Sequence, residues 1–188
     1  MKKFVLDTSI FVNPKAREGF GRSVDEAIEN FIKIAKKTKK VEFYMPPSVF
    51  LELGHFSTKT DELSLYVRKR APNIYAIYLP AAVFYAFIDE VRKRVNKGLR
   101  IAEQFAIDNK PDNDQKLRAL REKYREAMRA GIVDSKEDFE LILLAKEIDG
   151  TIVTSDEGIV ALANALGCGW LEGEKFEKLI SKEKNKKR

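Results

Sequence analysis

The stretch Phe4-Val5-Leu6-Asp7-Thr8-Ser9-Ile10-Phe11 decides how the chain is read. Three apolar, strand-favouring residues run into an acid followed by two hydroxyls. In an α/β fold, ligands bind just beyond the carboxyl ends of parallel strands, so Asp7 at that point faces a site. The competing reading is a turn, with the Asp7 side chain bonding nearby amides. The context recurs late in the chain, where Thr151-Ile152-Val153-Thr154 runs into Ser155-Asp156-Glu157-Gly158. Helix capping by Ser155 or Asp156 is the competing reading there.

Outward from Asp7, Asn13-Pro14 with Gly19 and Gly21 predicts a loop. Ser23 and Glu26 then have capping-box spacing, opening a helix with Ala27, Ile28, Phe31, Ile32 and Ala35 on one face. A second strand, Val41 to Met45, stops at Pro46-Pro47, and a helix runs from Ser48 to Phe56. Glu52 lies within roughly 60° of Val49 and Phe56 on a wheel of 100° per residue, an acid bordering an apolar stripe. Residues 57–72 read as loop or short helix. Ile74 to Leu79 reads as a third strand, closed by Pro80.

Two helices follow, Ala81 to about Phe105 and Asp114 to about Ala130, broken around Pro111: an antiparallel hairpin inserted into a βα chain. Beyond Gly131, Asp134 or Ser135 caps a helix, with Glu137 or Asp138 reaching back. Asp138 also shares a face with Leu141, Ile142 and Ala145. An acid on a buried stripe needs a partner, and a metal cation would serve. Cys168 to Leu171 predicts an edge strand, and the Lys-rich end from Lys175 a basic tail. The organisation expected is an α/β domain from 1–80 and 131–175, a helical arm at 81–130 and a tail at 176–188.

Composition narrows the chemistry. At 188 residues with 44% hydrophobic content, the chain can bury a core of its own. Its apolar runs are too short to span a bilayer and no signal peptide precedes Phe4, which predicts a cytoplasmic protein without membrane contact. One Cys excludes an internal disulfide or a multi-cysteine zinc site, and one His excludes two-histidine acid–base catalysis. High Lys, Arg and Glu content beside only Gln104 and Gln115 is a thermophile's composition.

The net charge is +6, and the window Arg92–Arg129, with 12 basic and 6 acidic residues, carries all of it. Arg118, Arg121, Arg125 and Arg129 fall within roughly 80° at 3.6 residues per turn. Leu117, Leu120, Tyr124 and Met128 form a separate stripe able to pack inward. Lys93, Lys97 and Arg100 cluster on the preceding helix. Charge runs are usually solvated faces, and Glu122 and Glu126 offer local pairs. Arginines in register on a protruding element nonetheless match phosphates, which points to nucleic acid.

Asp7, Glu52, Asp134, Asp138 and Asp156 sit at strand ends and helix starts, which converge on one edge of a parallel sheet. Carboxylates so gathered need a counter-charge. With hard oxygen donors and almost no His or Cys, Mg²⁺ or Mn²⁺ fits better than zinc. Such a site beside a basic arm predicts metal-dependent phosphodiester hydrolysis.

Asp7-Thr8-Ser9, the Glu52 helix, the helix beginning Asp138-Phe139-Glu140-Leu141 and Val153-Thr154-Ser155-Asp156 resemble a PIN-like nuclease domain. The likeness is closer to the minimal, RNA-free ribonuclease P proteins of archaea and some bacteria, formerly labelled RNA ligase partner proteins. Phe4 through Pro14, Val91-Arg92-Lys93-Arg94-Val95-Asn96-Lys97-Gly98-Leu99-Arg100-Ile101-Ala102-Glu103 and Gly131-Ile132-Val133-Asp134-Ser135-Lys136-Glu137-Asp138 carry it, over nearly the whole chain. The resemblance implies a three-layer α/β fold with a mainly parallel sheet and an inserted helical arm. It implies Mg²⁺-dependent removal of the 5′ leader from precursor tRNA, leaving a 5′-phosphate. Asp7, Asp134, Asp138 and Asp156 match its metal-binding acids; Glu52 matches the wider PIN pattern. It also implies a large homo-oligomer built from dimers, the arm serving tRNA and subunit contacts. Competing expectations are a general PIN-type ribonuclease and a non-catalytic RNA-binding partner of an RNA ligase.

Overall fold

The computed structural model describes residues 1–107, 113–129 and 135–185. Strand β1 (Lys2–Leu6) buries Phe4, Val5 and Leu6 and ends at Asp7. The next segment forms two short helices, α1 (Ser9–Val12) and α2 (Pro14–Arg17), where the sequence suggests loop. Asn13 caps α2, its side-chain oxygen taking the Lys15 amide at 3.0 Å, and Pro14 occupies the first turn, where its missing N–H costs nothing. Helix α3 (Val24–Ala35) starts at Ser23, whose Oγ accepts the Glu26 amide. The Glu26 carboxylate takes the Arg22 amide instead of returning to Ser23, so half the capping box forms.

Strand β2 (Val41–Met45) leads through Pro46 into α4 (Pro47–Gly54), followed by α5 (Thr60–Leu63) and strand β3 (Val67–Lys69). The third strand is therefore not Ile74–Leu79. Val67 pairs with Phe43 and Lys69 with Met45, while Ile74 and Tyr75, in a turn, and Tyr78 beyond it stand exposed. Pro72 and Pro80 lack amide donors for a ladder. Glu147 pins this turn by accepting from the Arg70 guanidinium and from the Asn73 amide at 2.7 Å.

Helices α6 (Ala81–Ile107), α7 (Asn113–Arg129) and α8 (Lys136–Ile148) come next, then β4 (Thr151–Thr154), α9 (Glu157–Ala165), β5 (Trp170–Glu172) and α10 (Gly173–Asn185). Asp149 ends α8 in the left-handed conformation (φ 53°), which a short polar side chain tolerates. The five strands form one parallel sheet in the order β3-β2-β1-β4-β5, with helices on both sides. Coverage of both faces explains why the central strands are almost continuously apolar. Because β1 pairs with both β2 and β4, connections leave it in opposite directions and open a crevice at its carboxyl end.

The expected basic tail is instead a core helix. In α10, Phe176 and Ile180 are fully buried. The Phe176 ring lies 5.4 Å from Phe4 and 6.2 Å from Phe31 and Phe43, closing an aromatic cluster over β1 and β2. Edge-to-face and offset contacts at these distances contribute beyond burial alone.

The chain divides into two compact units, Met1–Tyr78 with Ser135–Arg188, and Leu79–Asp134. Within the second, α6 and α7 pack together, with Lys123 Nζ over the Phe105 ring at 5.5 Å. Their apolar residues are incompletely covered. Phe84, Ile88, Val91, Val95 and Leu99 form an exposed stripe on α6, and Leu117 and Tyr124 of the expected inward stripe are exposed too. Leu120 is half-buried; the Met128 side chain lies outside the described residues.

Candidate active site

Asp7 follows the last residue of β1, and its amide donates to Val153 O (3.1 Å), so the ladder to β4 carries the acid to the crevice. The residue is only 6% exposed. Both hydroxyls bonded to Oδ2 come from the strand ends seen in the sequence: Ser9 Oγ donates at 2.5 Å and Thr154 Oγ1 at 2.6 Å. Each hydroxyl also accepts an amide from the end of β4. Ser155 N donates to Ser9 Oγ (2.9 Å) and Asp156 N to Thr154 Oγ1 (3.0 Å). Two straps thus tie one oxygen of Asp7 to the backbone presenting Asp156. Oδ1 receives a long contact from Thr8 Oγ1 (3.4 Å), and the Ser9 backbone amide also bonds the carboxylate.

Burial pushes the Asp7 carboxyl above its ordinary range; the Ser9 and Thr154 hydrogen bonds pull it down, and the charge of Asp156 adds to the rise. Asp156 also caps α9, its Oδ1 accepting the amides of Gly158 (2.7 Å) and Ile159 (3.0 Å). Capping and ligation are therefore compatible: one oxygen serves the helix and the second remains.

Glu52 is exposed on α4, yet its Oε2 accepts from Thr8 Oγ1 at 3.4 Å. Partial burial raises its pKa, and the charges of Asp7 and Glu137 raise it further. Sequence reasoning gave Glu137 only a capping role; its electrostatic reach to Glu52 depends on how α8 packs against α4, which no local pattern encodes. Asp138 is half-buried in the first turn of α8, its amide donating to Ser135 Oγ (3.0 Å), on the face continued by buried Leu141, Ile142 and Ala145. Asp134 lies outside the described residues.

The structure thus brings Asp156 and Glu52 each into electrostatic range of Asp7. Among the described residues, no group of three or more His, Cys, Asp or Glu is gathered tightly enough to hold a metal ion. The donors are nonetheless hard carboxylate oxygens whose repulsion a divalent cation would offset, which is the chemistry Mg²⁺ and Mn²⁺ require. The hydroxyls of Ser9 and Thr154 were visible beside the acids, but Thr154 bonds Asp7 across 147 residues, a relation no local spacing reveals.

The predicted nucleic-acid contacts belong to the other compact unit. Lys93, Lys97 and Arg100 are exposed on α6, and Arg118, Arg121 and Arg125 on α7. Those three arginines, with Glu122 and Glu126, line one surface depression of about 520 Å³. Arg129 ends α7, and its side chain lies outside the described ones.

The profile described as PINc domain ribonuclease matches residues 3–183. The chain is 48% identical over 188 residues to a Pyrococcus horikoshii protein named RNA-free ribonuclease P, covering 96% of this chain and 92% of that one. A Pyrococcus furiosus protein of the same name is 48% identical, covering 96% and 93%. One from the bacterium Alkalilimnicola ehrlichii is 37% identical over 96% of both chains.

Proposed function

Because the chain belongs to the PINc domain ribonucleases, and among them to the RNA-free ribonuclease P group, we propose that it removes the 5′ leader of precursor tRNA by hydrolysis, in the cytoplasm and without an RNA subunit. The observation that carries the reading is the pair of hydroxyl straps that hold Asp7 against the end of β4, where Asp156 stands. A buried carboxylate fixed by two hydroxyls from separate parts of the chain, one of them 147 residues away, suits ligation better than turn formation.

Asp7, Asp134, Asp138 and Asp156 would hold Mg²⁺ or Mn²⁺, with Glu52 beside them. When bound, the cation supplies acidified water and offsets charge on the phosphoryl oxygens of the transition state. The chain's own part is positional. Ser9 and Thr154 orient Asp7 and favour its charged form against the effect of burial, and Asp156 is fixed by its capping bonds. Attack at phosphorus on the far side from the leader's 3′ oxygen breaks the P–O3′ bond and leaves the 5′-phosphate on the mature tRNA.

Arg118, Arg121, Arg125 and Arg129, with Lys93, Lys97 and Arg100, would engage tRNA phosphates, which position a substrate without reading sequence. The exposed apolar stripe of α6 favours assembly of the chain into homo-oligomers built from dimers, since contiguous exposed apolar surface of this kind marks interaction sites.

Purified protein incubated with precursor tRNA and Mg²⁺ should release the leader and yield a mature 5′-phosphate end on primer-extension mapping. Asp138→Asn should lower the rate by about 10³-fold or more while leaving tRNA affinity nearly intact, the scale at which removing transition-state electrostatics acts. Full activity of that variant, or of wild type in EDTA, would overturn the proposal.

A further inference from the structure

We propose that Gly173, the first residue of α10, is a positioning residue for the catalytic edge, and that it acts through its contact with Ser155. A Cβ built on Gly173 would lie 2.6 Å from Ser155 Oγ, 3.0 Å from Ala16 Cβ and 3.5 Å from Ile10 Cγ2. Gly173 therefore touches both turns that carry the site: Ile10 follows Ser9, and Ser155 lies between Thr154 and Asp156. Ser155 Oγ is buried and, among the described residues, has no hydrogen-bond partner. Its hydroxyl serves no network. What holds Ser155 is its amide on Ser9 Oγ and the glycine against its side chain.

The contact can transmit force because α10 is not free to retreat, while Ser155 Oγ, though unbonded, is buried and can turn away only into packed surroundings. Three residues after Gly173, Phe176 is fully buried in the aromatic cluster with Phe4, Phe31 and Phe43. Farther along α10, Glu177 packs on Gly19 closely enough that a Cβ there would meet Glu177 Cβ at 3.1 Å. Ile10 is fully buried and Ala16 nearly so. Close-packed interiors pass displacement on rather than absorb it. A methyl at Gly173 thus moves Ser155, and with it the strap Ser155 N–Ser9 Oγ–Asp7 Oδ2 and the neighbouring Asp156. The helix that the composition disguises as a basic tail becomes the floor under the two strand-end acids.

This inference rests on the nuclease reading above. Gly173→Ala should cut kcat for precursor-tRNA cleavage by about tenfold or more, ångström-scale misplacement of reacting groups being worth up to about 10²-fold. KM and tRNA affinity should stay within about twofold. The double variant Gly173→Ala/Ser155→Ala, which removes the clashing oxygen, should recover most of the loss relative to Ser155→Ala alone. Amide hydrogen exchange by NMR, in EDTA, should quicken at Ser155 and Asp156 in Gly173→Ala and return toward wild type in the double variant. Ser155→Cys, which presses the same contact from the other side with the glycine intact, should reproduce both effects and decides the matter if Gly173→Ala does not fold. Unchanged exchange at Ser155 and Asp156, or a loss that Ser155→Ala does not relieve, overturns the inference. If wild type fails to cleave precursor tRNA, the nuclease reading falls, while the exchange measurements still decide the coupling.

Discussion

Asp7 is held in a state that opposes the stability of the metal-free fold. Its pKa is raised on folding, chiefly by burial. For an acid this favours the fold while the group is protonated, and that advantage is lost as pH rises through the folded value. Once ionised above that value, Asp7 therefore costs stability. Asp7→Asn removes the charge, and its amide oxygen still accepts from Ser9 and Thr154. The variant should be inactive yet melt higher than wild type in EDTA at pH 7, each recovered kcal/mol raising Tm by roughly 2–4 °C in a chain this size. The two proteins should converge as the pH falls toward the ordinary aspartate value of 3.8. Calorimetry across pH checks this, and a lower Tm for Asp7→Asn throughout would show that the carboxylate contributes stability. Site construction at the expense of stability is the common trade-off in enzymes. At this scale the acids were legible because Asp7 and Asp156 stand where apolar runs stop. The bonds that make Asp7 a site were not, since its partner Thr154 is 147 residues away.

At the scale of elements, hydrophobic pattern located β1, β2, β4 and the long helices, and failed where composition masks role. Strand β3 is three residues long at the sheet edge and carries Arg68 and Lys69, so it reads as polar, while the apolar Ile74–Leu79 run attracts the strand assignment. In α10 the lysines outnumber the two residues that matter, Phe176 and Ile180, one turn apart. Phe176→Ala should therefore destabilise the fold by about 3–5 kcal/mol, the usual loss for a buried phenylalanine, measured by denaturant unfolding. A basic tail would tolerate the change. On α7, Arg121→Ala with Arg125→Ala should weaken tRNA binding and lower the salt slope by about one for each phosphate contact removed. Titrations at several KCl concentrations check it; an unchanged slope would assign these arginines to pairing with Glu122 and Glu126, which share their depression.

For the whole molecule, the exposed stripe on α6 sets the expected assembly. A stable interface buries at least about 1,000 Å² with an apolar centre, and Phe84, Ile88, Val91, Val95 and Leu99 supply such a centre on one helix. Val91→Glu with Val95→Glu should shift the protein from a homo-oligomer toward the 21.5 kDa single chain in light scattering. Both changes are at exposed helix positions, so the single chain should keep its helical circular dichroism. Equal masses for wild type and variant would remove this stripe from the assembly.

The pairing of Asp7 with Thr154 also sets a clock. The acid leaves the ribosome near the start of synthesis, and the hydroxyl that secures it follows 147 residues later. At 5–20 residues per second that interval is roughly 7 to 30 s. For all of it β1 lacks β4, and it gains β2 only once Val41–Met45 have followed, so Asp7 has neither the Thr154 hydroxyl nor Asp156 beside it. A nascent or prematurely terminated chain therefore carries the arm's arginines well before a complete cutting edge. On the proposed function, it would hold RNA before it could cleave it.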